Sequence, residues 1–321
     1  MVEASLRTLH PVKSHYVAKQ LREMAADLQI DVINAHSPQG HLLAVLGRVP
    51  APVVRTRCDD RPVQRNIANH WLYGKCAAAV ILPSESNRRR LLESIPSAGD
   101  HAEVVYCGLD LQGYAASGIK PVLRDKLGLA QNAVIVGNLG RFSPEKGPLH
   151  FLDTAAQVAR ACPEAYFVMS GLTVQHTPEE LTKAGIERGL NGRLSILPPF
   201  EDARQALGDF DIGVITSQYS ESNCRVALEY MALGIPVVST DVNVLGELFK
   251  PNVTGLVYPK DAVAPMAEAV KRLVREPDYR KQIGEAGRAH ARERYDLPVF
   301  LDKTEAILSN AVNASGGRRM S

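Results

Sequence analysis

Short apolar runs alternate with stretches of helical periodicity along almost the whole chain, and this alternation limits the folds open to it more than any other feature. A run of a few β-branched residues between turn residues reads as a strand buried on both faces. A longer amphipathic stretch between two such runs reads as the crossover helix that parallel pairing requires. One series of runs falls at 30–35, 53–56, 78–82 and 104–107, ahead of a region 111–132 that holds one short helix at 122–127. A second series falls at 134–136, 166–169, 194–197, 212–215, 237–239 and 256–258. The pattern predicts an α/β chain with two parallel sheets, each flanked by helices. A length of 321 residues, 45% hydrophobic and 22% charged, suffices for two cored domains. An amphipathic helix is expected at 17–28 and a final helix at 298–308. The tail 313–321, small, polar and basic, is expected to be disordered.

Composition removes several function classes. A net charge of +2 is too small to argue for nucleic acid. No run has the apolar length of a membrane span, and residues 1–10 lack the apolar core of a signal peptide. Cys58, Cys76, Cys107, Cys162 and Cys224 are odd in number and scattered, which fits reduced thiols and a cytoplasmic chain. The run Arg88-Arg89-Arg90 reads as the wet face of a helix, with weak peripheral contact to anionic lipid at the inner membrane face as the minor alternative.

The stretch Ser220-Glu221-Ser222-Asn223-Cys224-Arg225-Val226-Ala227-Leu228-Glu229 reads as a loop entering a helix, with Ser220 or Ser222 as its N-cap. Gly234 stops that helix, and Pro236 leads into the next strand. One carboxylate then stands at the helix mouth and the other about two turns further on, on nearly the same face. Free N–H groups and the helix dipole between them favour an anion, while carboxylates accept from hydroxyls. A sugar diphosphate satisfies both demands.

These residues, with Gly137-Asn138-Leu139-Gly140-Arg141-Phe142-Ser143-Pro144-Glu145-Lys146-Gly147, Asp209-Phe210-Asp211-Ile212-Gly213-Val214-Ile215-Thr216-Ser217, Asn252-Val253-Thr254-Gly255-Leu256-Val257 and Ala286-Gly287-Arg288, resemble the family 4 (group 1) glycosyltransferases in order and spacing. The resemblance covers most of 116–296. It implies the GT-B fold, two Rossmann-like domains facing across a cleft. The expected divisions are an N-terminal acceptor-side domain at 1–115, to which 297–312 crosses back, and a donor-binding domain at 116–296.

By the same resemblance, Arg141 and Lys146 neutralise the donor diphosphate, Gly140 lets the backbone approach it, and Glu229 holds the ribose hydroxyls. Glu221 sits beside the transferred sugar, backbone amides of Asn223, Cys224 and Arg225 meet the sugar or its phosphate, and Pro199 and Phe200 lie in the loop that contacts the base. The sequence Ser222-Asn223-Cys224-Arg225 departs from the small and aromatic residues usual after the first glutamate, which leaves the donor sugar open. In the first domain His36, at a strand end, is expected to hydrogen-bond the donor sugar. Arg57 is read either as a ligand for an anionic acceptor or as an ordinary ion pair.

Two other motifs fail on context. Asp209-Phe210-Asp211 lies where a helix hands over to a buried strand, so Asp209 is expected to cap and Asp211 to anchor the strand end rather than hold a metal. The glycine turn at 137–147 lacks the Gly-x-Gly-x-x-Gly dinucleotide fingerprint. No metal and no other cofactor are expected, the nucleotide sugar being a substrate.

The resemblance also implies a strand, a glycine-rich loop, a helix and a further strand ahead of the element at 30–36, and residues 1–29 do not read as that loop. The first sheet is therefore expected to be incomplete, with donor binding kept, transfer weakened and association through the first domain. The expected function is a retaining glycosyltransferase moving a sugar from a UDP- or GDP-sugar to a hydroxyl on a glycan or lipid-linked acceptor in surface glycan or lipopolysaccharide assembly. The alternative is a non-catalytic or degenerate nucleotide-sugar-binding fragment.

Overall fold

In the computed structural model, which describes residues 11–115, 118 and 120–319, the chain forms two α/β units. Of the described residues, those up to 107 with those from 300 onward form the first, and those between 108 and 299 the second.

In the first unit, β1 (Ile33–Ala35), β2 (Val53–Thr56), β3 (Ala79–Leu82) and β4 (Ala102–Val104) form a parallel sheet in that order. Helices α1 (Pro11–Asp27), α2 (Pro38–Leu46), α3 (Ile67–Trp71) and α4 (Glu85–Ser94) belong to the same unit. Alternate residues of β3 serve opposite faces, as the two-residue period of a strand requires. Val80 and Leu82 pack with Leu72, Tyr73, Leu91 and Ile95, whereas Ala79 and Ile81 pack with Val54, Val105 and Ala311. Among the described residues β1 pairs with β2 alone.

The second unit holds α5 (Leu111–Ala115), α6 (Leu123–Leu127), β5 (Val134–Leu139), α7 (Pro148–Ala159), β6 (Ala165–Ser170), α8 (Pro178–Glu187) and β7 (Leu194–Leu197). It continues with α9 (Arg204–Leu207), β8 (Ile212–Ile215), α10 (Arg225–Leu233), β9 (Val237–Thr240), α11 (Leu245–Leu248), β10 (Leu256–Tyr258), α12 (Val263–Arg275) and α13 (Pro277–Arg294). Its parallel sheet has the order β10-β9-β8-β5-β6-β7. From β5 the chain builds outward through β6 and β7, then returns to place β8 on the other side of β5. The crossovers that follow β5 and β8 therefore run in opposite directions along the sheet and leave a crevice at the carboxyl ends of the strands, where open α/β sheets bind ligands. The core under it joins Val136, Phe151, Leu152, Phe167, Ile212 and Val238. Truncating Phe167 would cost about 3–5 kcal/mol.

Several expectations are adjusted. The α10 N-cap is Cys224, in the left-handed region at φ 38°, and neither Ser220 nor Ser222 caps the helix. The loop from β8 stays outside helical geometry through Asn223 because its hydrogen bonds go to neighbouring loops. Gly234 ends the helix at φ 71°, as expected. The last helix, α14 (Leu297–Arg319), continues through 313–319, read from sequence as a disordered tail. Ala311 is buried against the first sheet and the Ser315 hydroxyl donates back to the Val312 carbonyl, so helical geometry persists. Residues 320 and 321 lie outside the described residues. Asp209 does cap, but it caps α6, accepting from the amides of Leu123 and Arg124. Asp211 accepts from the Ile135 amide and from the Arg124 guanidinium at 2.8 Å.

Candidate active site

Two loops make the crevice. The first leaves β5 at Gly140, passes Arg141 and makes a short 3₁₀ turn over Pro144–Lys146. It enters α7 through Gly147 at φ 62°, where a Cβ would collide with the Thr216 carbonyl oxygen. Only glycine meets both demands without strain. The second loop leaves β8 at Thr216. Its Thr216 hydroxyl is placed to donate to the carbonyls of Lys146 at 3.1 Å and Gly147 at 2.9 Å, and the Gln218 amide donates to the Glu145 carbonyl at 2.7 Å. The loops thus hold each other in register. Beneath them Asn138 donates from β5 to the Val214 carbonyl of β8, which ties the two strands at the crevice.

Lys146 and Glu221, 75 positions apart in sequence, meet in an ion pair of 2.5 Å. Glu221 is 6% exposed, and its Oε2 also accepts from the Ser217 hydroxyl at 2.7 Å. Arg141 is exposed beside them, and its guanidinium has no carboxylate within ion-pair distance among the described residues. Glu229, 9% exposed on α10, pairs through Oε1 with the Arg225 Nε at 2.9 Å. Burial pushes the Glu229 carboxyl up from its ordinary range, against the pull of Arg225. Burial likewise raises the Cys224 thiol, which stays protonated.

These residues line two adjoining cavities in the second unit. One, of about 210 Å³, is walled by Asn138, Lys146, Ser217, Glu221, Cys224 and Arg225. The other, of about 280 Å³, is walled by Ser170, Pro199, Phe200, Ala203 and Glu229. Leu139, Gly140, Arg141 and Val226 line both. The Ser170 hydroxyl donates to the Pro198 carbonyl, fixing the loop that carries Pro199 and Phe200. The arrangement offers one apolar slot bordered by a carboxylate and, next to it, a hollow lined by three cations, Arg141, Lys146 and Arg225, and by Glu221. Asn223 is half-buried and lines neither cavity.

In the first unit, His36 follows the last residue of β1 and is exposed. Arg57 donates to Asp59 at 2.9 Å and to the Arg61 carbonyl, so of its two readings the ion pair is the one formed. A further cavity, of about 570 Å³, lies in this unit near the amino ends of β2 and β3, and none of the predicted residues lines it. Carboxyl ends of parallel strands are where ligands bind, so the smaller cavities of the second unit are the stronger site. Sequence reasoning missed Ser217 and Tyr114. Ser217 has a local signal, lying four residues before Glu221, whereas Tyr114 shares a cavity wall with Glu229 only through the packing of α5 on α10. Among the described residues no group of three or more His, Cys, Asp or Glu side chains could hold a metal ion, and no helix is long and apolar enough to cross a membrane.

Residues 119–290, more than half of the chain, match the family described as glycosyl transferases group 1, and residues 6–112 match glycosyltransferase family 4. The D-inositol 3-phosphate glycosyltransferase of Nocardia farcinica (strain IFM 10152) is 32% identical over 262 residues, or 79% of this chain. The chain spans 57% of that relative's length. Among solved structures, a glycosyltransferase from Rickettsia africae ESF-5 superposes with a TM-score of 0.85 at 18% identity, covering 97% of this chain and 84% of that one. Anabaena Alr3699/HepE in complex with UDP gives 0.81 at 24%, covering 96% and 84%. With its two Rossmann-like units and a family match across more than half its residues, the chain belongs to the glycosyl transferases of group 1 and has the GT-B type of fold.

Proposed function

We propose that the second unit binds a nucleoside-diphosphate sugar and that the protein transfers the sugar to a hydroxyl acceptor with retention of configuration. The reading is carried by one observation: Arg141, Lys146, Glu221 and Glu229, scattered over 89 positions, line adjoining cavities at the carboxyl ends of β5 and β8. In this reading the base enters the slot beside Pro199 and Phe200, Glu229 accepts from the ribose hydroxyls, and the diphosphate lies across Gly140, Arg141 and Lys146. The backbone near Cys224 and Arg225, at the head of α10, adds donors and the helix dipole.

Lys146 is held by Glu221 in the free protein, and a diphosphate would compete for the same ammonium. Glu221 would then turn its acceptor capacity to the sugar. As the glycosidic bond breaks, charge builds on the departing diphosphate, and aimed cations stabilise it. The acceptor oxygen bonds to the anomeric carbon on the face the phosphate leaves. The acceptor's proton passes to the departing phosphate oxygen. Losing one such cation costs roughly two to three orders of magnitude in rate. His36 is assigned a hydrogen bond to the sugar. A lipid-linked or glycan acceptor in surface glycan assembly is the family-level expectation.

A UDP-sugar is the first donor to try, since the Anabaena neighbour was solved with UDP, and GDP-mannose the second. A thermal-shift screen over nucleotide sugars tests the reading, because a ligand that binds the native state raises its melting temperature by mass action. A rise with a UDP- or GDP-sugar, followed by acceptor-dependent release of the nucleotide, is expected. No shift with any nucleotide sugar would contradict donor binding, and a shift without transfer would contradict the transferase reading.

A further inference from the structure

A third cavity, of about 450 Å³, opens on the other side of Glu229 and is lined by Tyr114, Glu201, Asp202, Arg204 and Arg225. Tyr114, on α5 where that helix packs against α10, is 8% exposed, and its hydroxyl closes no hydrogen bond of good geometry with any described atom. A buried hydroxyl left without a partner is costly, and native structures retain few of them. The nearby Asp202 is already engaged: both its carboxylate oxygens accept from Arg204, whose guanidinium lies over the Tyr114 ring at 5.2 Å. Glu229 is the acceptor that remains, and Tyr114 stands close enough for its O–H to lower that carboxyl.

A carboxylate offers about four acceptor positions. Arg225 takes one on Oε1, and an O–H from Tyr114 would take a second, leaving two for the vicinal hydroxyls of a ribose. We propose that Tyr114 is a positioning residue for the nucleotide, its hydroxyl closing onto Glu229 when the ligand binds and fixing that carboxylate toward both ribose hydroxyls. The proposal rests on the donor-site reading above and adds to it the selection of ribo- over deoxyribonucleotides.

The charged and titratable groups around Glu229 are Arg225, Asp202, Tyr114, Arg204, Cys224 and Tyr230, with Asp110, Glu201 and Arg141 on the walls of the cavities it lines. Burial and Asp202 push its carboxyl up, while Arg225 and Tyr114 hold it down. The Tyr114 phenol is itself pushed well above its ordinary range, first by burial and then by Glu229, so it remains a donor. Removing it should let the Glu229 carboxyl rise further and protonate at a higher pH.

The test is calorimetric titration of the full chain with UDP and with 2′-deoxy-UDP from pH 5 to 8, for the wild type, Tyr114→Phe, Glu229→Gln and the double variant. Tyr114→Phe is expected to weaken UDP about tenfold. It should also move the acid limb of UDP affinity up by about one pH unit and shrink the preference for UDP over its deoxy analogue. In the Glu229→Gln background the same change should add almost nothing, since neighbours acting through one group are not additive. An unchanged acid limb with an unchanged ribo-to-deoxy ratio overturns the proposal. A Phe variant that fails to fold overturns it equally, because the hydroxyl would then hold the fold rather than the ligand. The wild type is titrated with GDP and 2′-deoxy-GDP as well, and the variants with whichever pair it binds; a wild type that binds neither UDP nor GDP fails the donor reading instead.

Discussion

Glu221 has its charge met twice in the free protein, by the Lys146 ammonium and by the Ser217 hydroxyl, as a carboxylate with 6% exposure must. Its partner is 25% exposed, so one side of the pair faces solvent and can be taken by a ligand. Neither the pair nor the approach of Tyr114 to Glu229 was legible in the sequence, because the first joins residues brought together when β8 is laid beside β5 and the second residues brought together where α5 packs against α10. What was legible was chemistry by type: arginine and lysine five apart after a glycine turn, and glutamates eight apart across a helix start. A different residue carries a pH prediction in the first unit. His41 is fully buried, its ring edge-on to Tyr73, and both ring nitrogens lack a hydrogen-bond partner among the described residues. Burial, helped by the charge of Arg55, lowers its pKa to about 4. The unfolded chain takes up that proton near its ordinary value and the folded chain only near 4. The contribution is therefore complete above about pH 6.5 and is lost as pH falls toward 4, up to about 3 kcal/mol. Urea melts at pH 7 and pH 4.5 should show a smaller loss for His41→Leu than for the wild type. Equal losses would contradict the assignment.

At the scale of elements, the sequence located strands best where β-branched or aliphatic runs are bounded by polar or turn residues. β2, β7, β8 and β10 begin and end where the pattern places them. It fared worse at ends decided by tertiary contact. β5 runs three residues past 134–136 because β6 pairs with it as far as Leu139, with β8 alongside as far as Gly137. The start of α10 moved to Cys224 because the preceding loop is anchored elsewhere, through Ser217 and through the Val244 amide on the Glu221 carbonyl. Gly147 makes this scale testable. Gly147→Ala combines a left-handed backbone with a collision at the Thr216 carbonyl, whereas Gly189→Ala, at φ 83° with open space around it, carries the backbone strain alone. Gly189→Ala should cost about 1–2 kcal/mol. Gly147→Ala should cost more and also weaken nucleoside-diphosphate affinity, since the turn holding Lys146 must shift. Denaturant melts and UDP titration of both variants check this. Equal costs with unaltered affinity would mean that the turn does not set the site.

For the whole molecule, the two series of strands read from the sequence correspond to two separate parallel sheets. The reversal of strand order at β5 and β8 could not be read from the linear pattern, because periodicity says which residues form strands and not which strands pair. That reversal is what brings the candidate residues to one crevice. The charge arrangement there carries a prediction on metal. Arg141 and Lys146 supply cations beside the cavity, and Asp209 and Asp211 are committed to Arg124 and to backbone amides. UDP binding should therefore survive EDTA. Binding that vanished with EDTA and returned with magnesium or manganese would make those aspartates ligands.

The most direct measurement is the affinity of the full chain for UDP and for uridine, in the wild type and in the Arg141→Ala, Lys146→Ala double variant. If these residues face the diphosphate, the wild type binds UDP well above uridine. The double variant should then lose about a hundredfold or more for UDP, as two charge-assisted contacts disappear, with its uridine affinity unchanged. Equal affinity of wild type and double variant for UDP would contradict the account.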